Sequence, residues 1–134
     1  MSNPISDAFK KAKQENRPAL LTYTVGGDST KKQSLAILRS ISKNADILEL
    51  GLPHNTPVAD GSQIQTSAYR AIKNGIKIND IFKIVSDFKR SKNSKPVIFM
   101  GYYNCFSKSS IGFLSVSGTK FPPNFPPQNP NLSP

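Results

Sequence analysis

Cysteine occurs once, at Cys105, and tryptophan does not occur at all. A lone thiol excludes an internal disulfide and a cysteine-based zinc site, and it fits a reduced, cytosolic setting. His54 is the only histidine, which leaves no second imidazole for a metal site, and a surface place in a loop is its default. Acidic residues are scarce as well: eight, against 18 lysines and arginines, and none beyond Asp87. No apolar run reaches the length of a membrane span, so the reading is a soluble protein without a membrane partner. The opening MSNPISDAFKKAKQENRP has no apolar h-region and carries Asp7 and Glu15, unlike a signal or transit peptide.

What is present bounds the rest. At 134 residues, 37 % of them apolar, the chain can form one modest domain with a real core. Its net charge of +10 suggests some attraction to phosphate. The lysines, among them Lys10, Lys11, Lys31, Lys32, Lys73 and Lys83, are spread over segments with helical periodicity. That spread predicts solvated helix faces. The alternative is a basic, non-enzymatic nucleic-acid-binding module, and it lacks a basic groove with interleaved aromatics.

In chain order, Ile5, Ala8, Phe9 and Ala12 form one stripe and predict a helix over 5–15, capped by Ser6 or Asn3 and stopped before Pro18. Residues 19–25 (ALLTYTV) read as a strand ending in the turn Gly26-Gly27-Asp28-Ser29. A helix from about 30 to 43 follows, with Leu35, Leu38 and Ile41 inward and Ser29 or Asp28 as cap. Residues 46–50 form the second strand. Residues 63–74 form a helix with Ile64, Ala68, Ala71 and Ile72 inward and Gly75 at C′. Asn79 is expected to cap a helix from 80 to about 90, which turns Ile81, Ile84, Val85 and Phe88 to the core. Residues 96–103 (PVIFMGYY) read as a strand covered on both faces. Such alternation argues for α/β architecture with parallel strands joined by helical crossovers. Beyond Asn104 the chain turns Ser/Gly-rich, and its last 14 residues hold six prolines, a composition that predicts an extended or disordered tail.

Two carboxylates need explaining. Glu49 sits in the apolar run Asp46–Leu50, near the carboxyl end of its strand, where parallel α/β sheets keep their active sites. An apolar pocket there would raise its pKa toward the range of a general acid; the other possibility is a strand-end Glu that reaches solvent or pairs with a lysine. Asp60 follows a loop bounded by Pro53 and Pro57. It fits a capping box with Gln63, a role compatible with an ionised site carboxylate. Gly26-Gly27-Asp28 lacks the spacing of a phosphate-binding loop and reads as a tight turn. Tyr23, Met100, Tyr102 and Tyr103 lie near strand ends as core or pocket wall. No Ser–His–Asp, metal or Walker pattern is present.

The run Leu48-Glu49-Leu50-Gly51-Leu52-Pro53, with Pro57-Val58-Ala59-Asp60-Gly61 and Ile64-Gln65, resembles the signature of the tryptophan synthase alpha chain. Further similar stretches are YTVGGD (Tyr23–Asp28), AYRAIKNG (Ala68–Gly75) and MGYYN (Met100–Asn104), so the resemblance covers residues 5 to about 105. It implies the first three parallel strands and helices of a (β/α)8 TIM barrel over 1–105, then a divergent tail over 106–134. It implies a lyase of tryptophan biosynthesis that cleaves indole-3-glycerol phosphate to indole and glyceraldehyde 3-phosphate. Glu49 and Asp60 match its catalytic acids, and Tyr23, Met100 and Tyr102 match positions lining the indole pocket. No cofactor or metal is implied for this half-reaction; pyridoxal phosphate belongs to the beta chain that completes an α2β2 heterotetramer, and the setting is the cytoplasm. There are two departures. The loop carries Asn55-Thr56 where the family has Ser-Asp, which bears on beta-chain signalling. A whole barrel takes about 250 residues, so a truncated or frame-shifted reading after Asn104, unstable and scarcely active alone, is the expectation for this sequence.

Overall fold

The structure, a computed structural model, describes residues 3–92 and 94–102. The tail assigned to 106–134, and Tyr103 with it, lies outside the described residues. The element order is α1 (Pro4–Gln14), β1 (Leu21–Val25), α2 (Lys31–Ile41), β2 (Ile47–Gly51), α3 (Ser62–Lys73), α4 (Ile78–Lys89) and β3 (Val97–Met100). The strands form one sheet in the order β1-β2-β3, with both pairings parallel. This is the strand–helix alternation expected from the sequence.

Local chemistry sets the helix boundaries. In α1, the Asn3 side-chain Oδ1 accepts the Ile5 and Ser6 amides and Pro4 occupies the first turn, so Asn3 is the cap and Ser6 is not. Asn16 then takes a left-handed φ of 51° and the helix ends before Pro18. Of the α1 stripe, Ala12 is buried while Phe9 stays half exposed.

Three caps differ from expectation. The α2 cap is Thr30, whose hydroxyl accepts the Gln33 amide at 3.1 Å. Asp28 is engaged elsewhere: its carboxylate accepts from Arg70 Nε and Nη2, at 2.8 and 2.7 Å, and from the Ser67 hydroxyl, all on α3. A charged bidentate partner outweighs a neutral helix amide. At α3 the cap is Gly61, with no side-chain bond, so the Asp60–Gln63 capping box does not form. Asp60 lies one residue too early, and Gln65 reaches back instead, donating to the carbonyls of Asp60 (2.8 Å) and Pro57 (3.3 Å). At α4 the cap is Lys77, and Asp80 accepts its amide at 3.0 Å while pairing with Lys31 at 2.7 Å; Asn79 lies inside the helix.

Alternation along β2 divides the sheet into two faces. Leu48, Leu50 and Leu52 pack with Leu38 of α2 and Ile81, Ile84, Val85 and Phe88 of α4, with Val97 and Phe99 of β3 against them. A smaller cluster joins Val25 to Ala68 and Ala71 of α3. Ile72, expected inward, is 38 % exposed. Gly75 is the C′ residue of α3, with φ +75°. The β1–α2 turn needs its glycine: Gly27 has φ +78°, and a Cβ there would stand 2.4 Å from Ile76 Cγ1. On the opposite face, Leu21 and Met100 are 43 % and 53 % exposed. Ile47, on the same face by alternation, is fully buried.

One ion pair, of a buried Asp46 with an exposed Arg17, had no counterpart in the pattern reading. Asp46 is 4 % exposed, between Ala45 and Ile47, yet it is fully satisfied. Arg17 Nη1 and Nη2 donate to its two oxygens at 2.6 and 2.8 Å, and the Leu20 amide donates at 2.8 Å. The Arg17 guanidinium, then the Leu20 amide, holds the Asp46 carboxyl well below the usual carboxylate range. The pair joins the α1–β1 connection to the start of β2.

Candidate active site

Strand register brings the candidate residues to one place. Tyr23 pairs with Glu49, and Glu49 with Ile98; one step on, Val25 pairs with Gly51 and Gly51 with Met100. Side chains at registered positions of parallel strands share a face, so Tyr23, Glu49 and Met100 stand on the face opposite Leu48 and Leu50; Glu49, expected near the carboxyl end of its strand, is the middle residue of β2, as Tyr23 is of β1, and Met100 is the last of β3. Glu49 is half-buried between buried Leu48 and Leu50. Among the described residues it has no hydrogen bond or ion pair, so the strand-end pairing with a lysine is not what holds it.

Tyr23 lies across the neighbouring strand. A Cβ on Gly51 would stand 2.0 Å from Tyr23 Oη and 2.7 Å from Cζ, so only glycine lets the ring occupy this position. Burial pushes the Tyr23 phenol up, and the charges of Asp60 and Glu49 and the Tyr102 phenol push the same way. One phenol thus senses both carboxylates and the second tyrosine. Gly51→Ala is expected to displace this ring and destabilise the chain by about 1–3 kcal/mol, as overpacking does. Urea unfolding together with the Tyr23 titration checks it; an unchanged midpoint and an unchanged Tyr23 would contradict the close approach.

Asp60 arrives on the loop between β2 and α3. The Asp60 amide donates to Pro57 O at 3.1 Å, the Val58 amide to Thr56 O at 2.9 Å, and the Ala59 amide to Tyr102 Oη at 2.9 Å. Its half-buried carboxylate accepts no hydrogen bond among the described residues and so is free for a ligand. The His54 ring lies 4.9 Å from that of Tyr102, tilted by 30°, and its Nδ1 accepts the Thr56 amide at 3.0 Å. The arrangement places two carboxylates, neither with a hydrogen bond among the described residues, where both act on the Tyr23 phenol together with Tyr102. Such a setting suits acid–base work on an aromatic substrate. Among the described residues no group of three or more His, Cys, Asp or Glu could hold a metal ion.

The sequence profile of the family described as "Tryptophan synthase alpha chain" matches residues 9–115. The chain belongs to the tryptophan synthase alpha chain family. The match takes in all of β1 to β3 and runs past residue 105. The tryptophan synthase alpha chain of Pelagibacter ubique (strain HTCC1062) is 74 % identical over 100 residues, which are 75 % of this chain and 38 % of that protein. That of Nitrosomonas europaea is 37 % identical over 103 residues, again 38 % of its length. The chain therefore spans little more than a third of the curated relatives it matches.

Solved structures agree. The alpha subunit from Legionella pneumophila str. Paris superposes with a TM-score of 0.76 at 31 % identity, over 80 % of this chain and 41 % of that one. A chain of the tryptophan synthase α2β2 complex from Pyrococcus furiosus superposes at 0.63 with 42 % identity, over 66 % of this chain and 38 % of that one. The three strands and their helices are thus part of the family's TIM barrel. The face carrying Tyr23, Glu49 and Met100, opposite Leu48 and Leu50, is the face that a closed barrel turns inward.

Proposed function

We propose that the chain contributes the acid–base half of an indole-3-glycerol phosphate lyase site, with Glu49 and Asp60 as its catalytic residues. The observation that carries this is that Glu49 pairs in register with Tyr23, whose phenol senses Glu49, Asp60 and Tyr102, in a member of the tryptophan synthase alpha chain family.

The residues divide the work as follows. Glu49 delivers a proton to indole C3 as the bond from C3 to the glycerol carbon breaks, and it helps take up the proton of the substrate hydroxyl that becomes the aldehyde. Atoms balance: indole leaves with a new C3–H and glyceraldehyde 3-phosphate with a carbonyl. Asp60, ionised, steadies positive charge developing at the indole nitrogen, an effect that is large where water is excluded. Tyr23, Met100 and Tyr102 form the apolar wall against the indole ring. This half-reaction needs no cofactor, and pyridoxal phosphate belongs to the partner.

The partner of the reading is a tryptophan synthase beta chain in an α2β2 assembly, which receives the indole; the Pyrococcus furiosus relative is described in such a complex. The setting is the cytoplasm, and among the described residues no helix is long and apolar enough to cross a membrane. The reading puts its domain boundary at residue 105, and the family match runs on to residue 115. Three basic side chains pair across the fold, in Arg17–Asp46, Lys31–Asp80 and Arg70–Asp28, and no specific observation favours the nucleic-acid reading.

An assay of indole release from indole-3-glycerol phosphate tests the proposal. Weak release that depends on Glu49 is expected, because the three strands of the described residues form a sheet with two edges and not a closed barrel. Release that is indifferent to Glu49, or no release above buffer, would overturn it.

A further inference from the structure

The loop carrying Asp60 is turned by two short backbone bonds of its own, Val58 amide to Thr56 O and Asp60 amide to Pro57 O. Val58, in its middle, is 80 % exposed, and Asn55 and Thr56 are exposed too. Gln65 of α3 holds one side through the carbonyls of Pro57 and Asp60. The other side is held from beyond β3. Tyr102 Oη accepts the amide of Ala59, the residue directly before Asp60, across 43 positions of sequence. His54, at the loop's start, lies against the Tyr102 ring and fixes the Thr56 amide with its own Nδ1. One tyrosine therefore meets the loop at both its first and last turns.

We propose that Tyr102 and His54 form a bracket whose task is to position the Asp60 carboxylate over Tyr23 and Glu49, so that Tyr102 acts on the reaction chiefly as a positioning residue. This deepens the lyase reading and rests on it for its meaning in catalysis. The bracket itself is a claim about geometry, and its test does not require activity.

The Tyr23 phenol is the reporter, since Asp60 raises its titration. Coulomb energy falls as the inverse of distance, so a carboxylate that drifts from about 5 to about 10 Å loses about half of its influence. The experiment follows the Tyr23 ring carbon by NMR through an alkaline titration of the 134-residue chain and its variants. Asp60→Asn is made in the parent, in Tyr102→Phe and in His54→Ala. Tyr102→Phe keeps the ring and removes only the oxygen that accepts the Ala59 amide. In the parent, Asp60→Asn should lower the Tyr23 midpoint. In the Tyr102→Phe background that lowering should shrink by about half or more, and in His54→Ala by less, as coupled groups do in a double-mutant cycle.

An equal lowering in all three backgrounds would overturn the bracket. So would a parent chain in which Asp60→Asn leaves Tyr23 unmoved, since Asp60 would not then be held beside it. Indole release measured on the same samples keeps the two claims apart: an intact cycle with no release refutes the lyase reading and leaves the bracket standing.

Discussion

Glu49→Gln is expected to remove indole release almost entirely, by about 10²- to 10⁴-fold, the usual contribution of a positioned general acid–base group. The substitution keeps the shape and the hydrogen-bonding reach of the side chain, and it deletes only the proton that can be given and taken. Because Glu49 has no hydrogen bond or ion pair among the described residues, its replacement breaks nothing else in the fold. The unfolding midpoint should therefore stay within about 0.5 kcal/mol of the parent. That pairing of outcomes separates a catalytic carboxylate from a structural one. A loss of activity accompanied by an equal loss of folded protein would instead make Glu49 a structural residue. Asp60→Asn should cost less in rate than Glu49→Gln, since Asp60 steadies charge without moving a proton.

Asp46→Asn should have the opposite signature, with a large effect on stability and none on the chemistry directly. The amide keeps the size of the side chain but presents donors to the Arg17 guanidinium, and the Leu20 amide loses a charged acceptor. Removing one member of a fully buried pair costs about 3–5 kcal/mol. Arg17 is 39 % exposed on its side chain, and screening there lowers the expectation to on the order of 2 kcal/mol. In a domain of this size that is a drop of about 10 °C in Tm.

The acid dependence follows from the same pair. The folded carboxyl of Asp46 titrates below its unfolded value, so the pair's stabilisation is complete above the unfolded value of about 3.9 and is lost as pH falls below it. Asp28, held down first by Arg70, and Asp80, held down first by Lys31, add in the same direction. Unfolding measured from pH 6 down to pH 2 should show a steep fall in the parent and a shallower one in Asp46→Asn. Equal slopes would assign the acid sensitivity to other groups.

The parts that could be read from the sequence share a physical character. Helix stripes and the apolar strands follow from local periodicity, so the element order came through, whereas Glu49 is the middle residue of β2 and not near its end. The Gly75 stop is likewise local, a glycine where the chain needs a positive φ. The misplaced caps at Asp28, Asp60 and Asn79 have a common cause: each residue has a local role available, and the fold gives that role to a neighbour. Asp28 is drawn away by Arg70, 42 positions distant, and Asp46 is satisfied by Arg17, 29 positions distant. Such pairings are set by how α3 and the α1–β1 connection dock, which local pattern does not encode. The signal that could have pointed to Asp46 was its place among Ala45, Ile47 and Leu48, where a carboxylate needs a partner. Tyr102 was legible as a wall residue, whereas its bond to the Ala59 amide needed the loop's path in space.

The central claim is that Glu49 gives its proton to indole C3. Hydrogen–deuterium exchange at that carbon measures it without waiting on carbon–carbon cleavage. In D₂O with glyceraldehyde 3-phosphate present, the chain should exchange the C3 hydrogen of indole faster than buffer does, and Glu49→Gln should fall back to the buffer rate. Equal exchange by the parent and by Glu49→Gln would contradict the assignment.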